Sequence, residues 1–340
     1  MPLSRGRRSP LPTPSMLRSE TTRIRLAAID IGTNTVKLLI GDSDGNAVDP
    51  IYQSSIQTRL GNGLEDTRTL SKASIDETLA AIQSFLQKSK QLDVQQIVAN
   101  ATSAVRDATN GREFVKLVRA TSGIEIRVIS GEEEADLIFA GIRSGSVSND
   151  ENQMIVDVGG GSTELIVARG TSIKLRKSIN VGSVRLLESA QLQDPLNSEQ
   201  RSALSHLLAQ RYAPLIEAAN AEVPRNQGPT LIAAGGGAVA ASMLLNKLTE
   251  FHPQNIESHP LSLEQLQHLD TELWTTGLEE RRAWPGMPQD RADIIPIGVA
   301  IFVHLLQAFK IPELWVSTRG MRFGLLMKHC QATQEASPKV

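Results

Sequence analysis

Two segments restrict the fold of this chain more than any others: the aspartate-led turns DIGTNT at 30–35 and DVGGGST at 157–163. Each is rich in glycine and hydroxyl groups and lies between two short apolar runs, RLAAIDIG and VKLLIGD around the first, MIVDVGGG and TELIVARG around the second. Short apolar runs bounded by turn residues read as strands, so each segment predicts a hairpin. A third strand follows each hairpin, at 51–59 and at 172–179. In the first half, Ser74 and Glu77 have capping-box spacing, and Ile75, Leu79, Ile82 and Leu86 recur with helical period, which predicts an amphipathic helix from Ser74. A strand at 96–102, a helix over 111–121 and a strand over 124–130 follow. The second half repeats the plan with a helix from about Ser198 to Ala219, a strand at 230–234 and a helix after the glycines 235–237.

Three strands, helix, strand, helix thus occurs twice, which implies a duplicated α/β fold with two domains facing each other across a cleft. The length of 340 residues agrees, because single cores rarely grow beyond ~250–300 residues. The expected division is a basic, Pro/Ser-rich disordered tail over 1–21, a first domain over 22–147 and a second over 148–317, joined through the polar segment 144–153. A closing helix over about 318–333 can pack back on the first domain, and Met16 is an alternative start. Ser130 with Glu133, and Ser262 with Gln265, have the spacing of further capping boxes.

Composition narrows the function. A formal charge of −2 excludes a polycation that coats nucleic acid, so an anionic ligand must be met by local positive groups. The longest apolar run, 294–306, is shorter than the ~20 residues of a membrane span and reads as a buried helix. Cys330 is the single cysteine, which excludes an intramolecular disulfide and suits a reducing cytoplasm. The six histidines show no metal-ligand spacing, and Trp274, Trp284 and Trp315 are scattered as packing residues are.

Backbone N–H groups converge on a phosphate only where side chains are small and the turn is tight. Gly32, Thr33, Asn34 and Thr35 meet that condition, as do Gly159, Gly160, Gly161, Ser162 and Thr163, and the stretch Gly235–Gly237. No Walker A or dinucleotide fingerprint is present, since the turns join strands and no Gly-Lys-Ser/Thr follows. Asp30 and Asp157 end the first strands of their domains, with Glu164 just past the second turn, and carboxylates beside phosphates commonly hold Mg²⁺. Arg106 and Asn110 follow the strand at 96–102, and Arg59, Arg319 and Arg322 are further arginines suited either to phosphate or to surface ion pairs. In SGEEEADLIFAGI, Glu133 has the capping position, which leaves Glu134 free to face the cleft as a general base. The same glutamates would also favour the positive end of the helix dipole, and the pattern alone fits both readings.

The segments AAIDIGTNTVKLLI, RLGNGL, NATSAVRDATNG, ISGEEEADLIFAGI, VDVGGGSTELIV, RADIIPIG and VSTRGMRFGLL, in that order over roughly residues 24–327, resemble the exopolyphosphatase and guanosine pentaphosphate phosphatase family. That family belongs to the actin/sugar-kinase/Hsp70 superfamily, so the resemblance implies two actin-like, ribonuclease H-like domains. It implies hydrolysis of terminal phosphoanhydride bonds of inorganic polyphosphate, with Mg²⁺ or Mn²⁺. It also implies Glu134 as activator of the attacking water, Asp157 and Glu164 with Asp30 on the metal side, Gly32–Thr35 and Gly159–Thr163 as phosphate loops, and Arg106 on the phosphate chain. The ending VSTRGMRFG departs from the more usual VSDRGLREG, and the appended helical modules of long members are absent from the 340 residues. Guanosine pentaphosphate is the alternative substrate. A non-catalytic guanosine tetraphosphate sensor, a kinase on the same fold, and a homodimeric assembly are further possibilities that sequence leaves open.

Overall fold

The computed structural model describes residues 23–336, apart from 146, 148–150, 191 and 224–227. The tail expected over 1–21 and part of the joining segment expected at 144–153 lie outside the described residues. The first half runs β1 (Ile24–Ile31), β2 (Thr35–Ser43), β3 (Val48–Gln57), α1 (Leu64–Thr67), α2 (Lys72–Gln91), β4 (Gln96–Ala101), α3 (Ser103–Asp107), α4 (Gly111–Ser122), β5 (Ile126–Val128) and α5 (Gly131–Arg143). The second half begins in the same way with β6 (Asn152–Val158), β7 (Thr163–Arg169), β8 (Ser172–Ile179), α6 (Ser183–Ala190), α7 (Ser198–Glu222), β9 (Thr230–Ala234) and α8 (Gly236–Leu245). It continues with α9 (Pro253–Ile256), β10 (Leu261–Ser262), α10 (Leu263–Thr275), α11 (Leu278–Arg282), α12 (Ile295–Phe309), β11 (Glu313–Val316) and α13 (Met321–Ala336).

The duplication is explicit in the sheets. The first has the order β3-β2-β1-β4-β5, and the second has β8-β7-β6-β9-β11 with β10 added at one edge. In both, the three leading strands pair antiparallel and the next two join in parallel. A parallel strand needs a crossover on one face, so the central strands are covered on both sides and read as continuous apolar runs. Alternation then sorts the side chains. Ala27, Ile29 and Ile31 of β1 face α2 and α4, whereas Leu26 and Ala28 face α5 and α13. In β6, Met154, Val156 and Val158 face α7, α8, α10 and α12, while Ile155 faces α5 and α13 from the other side. The two sheets therefore sandwich a central layer of two helices, α5 and α13.

These helices meet at two glycines. A Cβ on Gly141 would stand 2.8 Å from the Gly320 carbonyl carbon and 3.1 Å from the Gly324 nitrogen, and one on Gly324 would stand 2.8 Å from the Leu137 carbonyl carbon. Only hydrogen fits where backbone meets backbone.

Several sequence expectations need correction. Helix α2 starts at Lys72, not Ser74: Ser71 is the cap, its side chain accepting from the Ser74 N–H at 3.1 Å, and the Ser74 hydroxyl donates back to the Ser71 carbonyl. β5 keeps only three of the seven residues expected as strand, and α6 was not foreseen. The capping boxes at Ser130 and Ser262 form as the spacing requires. The apolar run near 294–306 is a buried helix, α12, and among the described residues no helix is long and apolar enough to cross a membrane.

Candidate active site

The same alternation that builds the central layer aims its polar residues. Asp30 shares the face of Leu26 and Ala28, and Lys37, its partner across the β1–β2 ladder, shares it too. Asp157 shares the face of Ile155, and Glu164 stands opposite Asp157 in the β6–β7 ladder. Each carboxylate lies where its strand ends, so both sheets direct acid groups into the end of the layer held by α5 and α13. Helix α5 contributes Glu134. The capping box takes up Glu133, whose N–H donates to Ser130 Oγ at 3.1 Å and whose carboxylate accepts from the Ser130 N–H at 3.1 Å. Glu132 points outward and pairs at 3.9 Å with Arg176. Glu134, one step further round, turns inward. Its Oε2 is closed off from solvent and has no hydrogen-bond partner, the nearest cation being Arg106 Nη1 at 3.8 Å.

Both turns close with the same bond, Gly32 N donating to Thr35 O at 3.1 Å and Gly159 N to Ser162 O at 3.0 Å. They then pack on each other. A Cβ on Gly160 would be 3.3 Å from Asn34 Cβ, and one on Gly161 would run into the hydroxyls of Ser103 and Thr33, which share a 2.8 Å hydrogen bond. Arg185 clamps this junction, with Nε donating to Gly161 O at 2.8 Å and its other nitrogens reaching Glu65 and Asp107 of the first half. Arg59 pairs with Asp293 at 2.8 Å across the same division. Between the turns and the glycines 235–237 lies a cavity of about 300 Å³, which Asp30, Glu134, Asp157 and Glu164 all line.

Four acids in one place repel one another. Burial is the leading cause that raises the pKa of each, Glu164 to about 7 and Glu134 well above the ordinary glutamate value. Glu164 and Asp30 push Glu134 up further and Arg106 opposes them; Lys37 opposes the rise at Asp30 and Asp157. Glu164, 1 % exposed, accepts from Ser178 Oγ at 2.8 Å, which holds it in place. Among the described residues no three His, Cys, Asp or Glu side chains are gathered so as to bind a metal ion alone. The carboxylates of Asp30, Asp157 and Glu164, all lining the cavity, do fit Mg²⁺, which usually takes one or two carboxylates and fills its shell with water and phosphate oxygens.

Of the residues singled out in sequence, Gly32, Thr33, Asn34, Thr35, Gly159, Gly160, Gly161 and Ser162 line the cavity together with the four acids. Thr163 does not. Its hydroxyl donates to Val181 O at 2.6 Å and meets the Tyr212 hydroxyl at 2.9 Å in the opposite core, because strand alternation turns residue 163 away from residue 164. Arg106, expected on the phosphate chain, is not among the lining residues either: its Nη1 donates to Ile129 O at 2.8 Å and lies 3.8 Å from Glu134 Oε2. Asn110 is structural, its amide bonding both backbone groups of Leu70 at 2.9 Å. Gly235 lies against Asp157 at φ 91°, and Gly236 and Gly237 open α8. Arg319 and Arg322 both line the cavity, Arg322 also donating to Leu38 O at 2.7 Å. Thr318, at the departure from the usual ending, receives an acidic side chain from elsewhere: its N–H and hydroxyl both donate to Glu257 Oε1 at 2.7 Å. Sequence reasoning missed Lys37 and Arg291. Lys37 could have been found, since a hairpin with its turn at 32–34 sets residue 37 opposite Asp30. Arg291, the first residue of RADIIPIG, ends a short 3-10 helix, Gln289–Arg291, and lines the cavity.

Residues 39–332 match the sequence profile of the Ppx/GppA phosphatase family. The chain belongs to that family. A guanosine-5'-triphosphate,3'-diphosphate pyrophosphatase of Aeromonas salmonicida is 26 % identical over 300 residues, covering 88 % of this chain and 58 % of that protein. The chain thus spans little more than half the length of that relative. An exopolyphosphatase from Cytophaga hutchinsonii superposes with a TM-score of 0.81 at 27 % identity, covering 91 % of this chain and 98 % of the other. The Ppx/GppA family member of Aquifex aeolicus gives 0.74 at 25 % identity, covering 93 % and 100 %. The duplicated α/β architecture is therefore the actin-like fold of the family.

Proposed function

We propose that this Ppx/GppA protein is an exopolyphosphatase that hydrolyses the terminal phosphoanhydride bond of inorganic polyphosphate and releases orthophosphate. The observation that carries the reading is Glu134 Oε2, a carboxylate oxygen shut off from solvent and left without a hydrogen bond at the wall of a cavity between two glycine turns. A raised pKa suits a general base, because proton transfer is most effective when the pKa lies near the working pH.

In this reading the N–H groups of the turns at 32–35 and 159–162 grip the terminal phosphoryl group, and Lys37 and Arg106 offset its charge. The Glu134 carboxylate accepts a proton from water as the water oxygen attacks phosphorus in line with the bridging oxygen. The bond from phosphorus to that bridging oxygen breaks, and the shortened chain leaves with the electron pair. One or two of Asp157, Glu164 and Asp30 would hold Mg²⁺ or Mn²⁺, which would supply positive charge to the phosphate oxygens. Guanosine pentaphosphate is the second reading, favoured by the Aeromonas relative and by Met243 and Phe251 on the apolar flank of the cavity. Phosphate release with Mg²⁺ from short polyphosphate, long polyphosphate and guanosine pentaphosphate, measured side by side, tests both. Release from none of them would sink the hydrolase reading.

Metal binding has a separate signature. Glu164 titrates near 7 when folded against 4.5 for the free side chain, so between those values the native state holds a proton that the unfolded chain has released. Stability of the metal-free protein therefore falls as pH rises through that window. Mg²⁺ should raise the melting temperature more at pH 8 than at pH 6. Glu164→Gln should melt higher than the parent at pH 8 without metal and respond less to Mg²⁺. An equal Mg²⁺ response in the two proteins would remove Glu164 from the metal site.

A further inference from the structure

A trans peptide points its C=O and the following N–H in opposite directions, so a turn can offer N–H groups to a ligand only if its carbonyls are held away from it. The first turn of α6 holds those of the second loop. Gly159 O accepts from Ser183 N at 2.9 Å, and Gly160 O accepts from Val184 N at 2.9 Å and Arg185 N at 3.2 Å. Gly161 O accepts from Arg185 Nε at 2.8 Å. Three successive peptides thus direct the N–H groups of Gly160, Gly161 and Ser162 the other way, and all three residues line the cavity. Among the described residues none of these N–H groups donates to a backbone oxygen. Successive N–H groups of this kind make an anion-binding concavity.

The first loop is backed in the same manner: Thr33 O accepts from Gly61 N at 2.8 Å, and Asn34 O from Thr58 N at 3.1 Å and Arg59 N at 3.0 Å. Backbone N–H groups hold each of these carbonyls except Gly161 O. That one depends on the Arg185 side chain, whose other nitrogens pair with Glu65 and Asp107 of the first half. Arg185 does not line the phosphate cavity, and two carboxylates balance its charge. It lines a separate cavity of about 260 Å³ together with Glu65 and Glu188. We propose that Arg185 is a positioning residue for the phosphate grip, fixing the Gly161–Ser162 peptide so that the Ser162 N–H meets the terminal phosphoryl group. Because the guanidinium is anchored in the first half, it also ties that aim to the placing of one half on the other. The inference rests on the reading of the two turns as the phosphate grip.

The test uses Arg185→Ala and Arg185→Lys with whichever of polyphosphate and guanosine pentaphosphate the parent hydrolyses. In Arg185→Ala, KM should rise about tenfold or more, the size of one hydrogen bond to a charged group, while kcat stays within about threefold, because a contact made alike in ground and transition states is lost from binding. Affinity for labelled polyphosphate should weaken to match. Arg185→Lys keeps the charge but loses the planar fork, so its KM should stay near that of Arg185→Ala. Methylguanidinium, which can enter the separate cavity, should bring the KM of Arg185→Ala back toward the parent, and methylammonium should not. Parent-like KM in either variant overturns the inference, as does equal recovery with methylammonium. A fall in kcat at unchanged KM, accompanied by a lower melting temperature, overturns it too, since that is a purely structural loss. If Arg185→Ala does not fold, Arg185→Lys carries the test by the same split. If the parent neither binds nor hydrolyses these substrates, the phosphate reading fails and Arg185 falls with it; if the parent binds and both variants bind equally well, only the role of Arg185 is lost.

Discussion

Glu134→Gln should reduce phosphate release by about a thousandfold, within the 10²–10⁴ range by which a positioned base accelerates proton transfer. The change keeps the shape of the side chain and removes its capacity to accept the proton. Glu134 also has no bonded partner whose loss would disturb the fold, since only its 3.8 Å pairing with Arg106 is affected. Substrate affinity should hold or improve, because one negative charge leaves a cavity built for a polyanion. Binding of labelled polyphosphate together with turnover checks both parts. A variant with turnover near that of the parent would show that another group takes the proton.

Gly324→Ala should be strongly destabilising, because it places a methyl group against backbone in the central layer. Overpacking typically destabilises by 1–3 kcal/mol where side chains can yield, and here the obstacle is the Leu137 carbonyl, which cannot move without bending α5. A loss of about 3 kcal/mol or more is expected in denaturant unfolding, and Gly141→Ala should match it through the Gly320 carbonyl. Because α5 carries Glu134, turnover should fall even under conditions where the variant stays folded. If both variants melt like the parent, the helices are not in backbone contact.

Much of this was legible in sequence because it depends on local rules. The turns at 30–35 and 157–163 announced two hairpins, and the Ser130–Glu133 spacing separated a capping glutamate from its inward-facing neighbour; the capping bonds form as expected. Thr163 was misjudged because a turn was treated as a list of residues, whereas position 163 already belongs to β7 and obeys its alternation. Lys37 was overlooked for the same reason in reverse, its place being set by hairpin register. Arg291 opens the segment RADIIPIG, but its place at the cavity wall is set by tertiary packing of a short 3-10 helix, which local rules do not reach. The seam of Gly141 and Gly324 joins residues far apart in the chain, and spacing alone gives no sign of it.

The position of α13 also bears on how the protein comes off the ribosome. Leu26, Ala28 and Leu39 of the first sheet are covered partly by Leu325, Leu326 and Cys330, which are nearly three hundred residues further along. At ~5–20 residues per second, the inner face of that sheet waits roughly 15–60 s for its cover. For that interval the nascent first half presents a greasy strip with Asp30 at its end. The last step of maturation should thus be the docking of one closing helix, which hides the strip and packs on α5, the helix that carries Glu134.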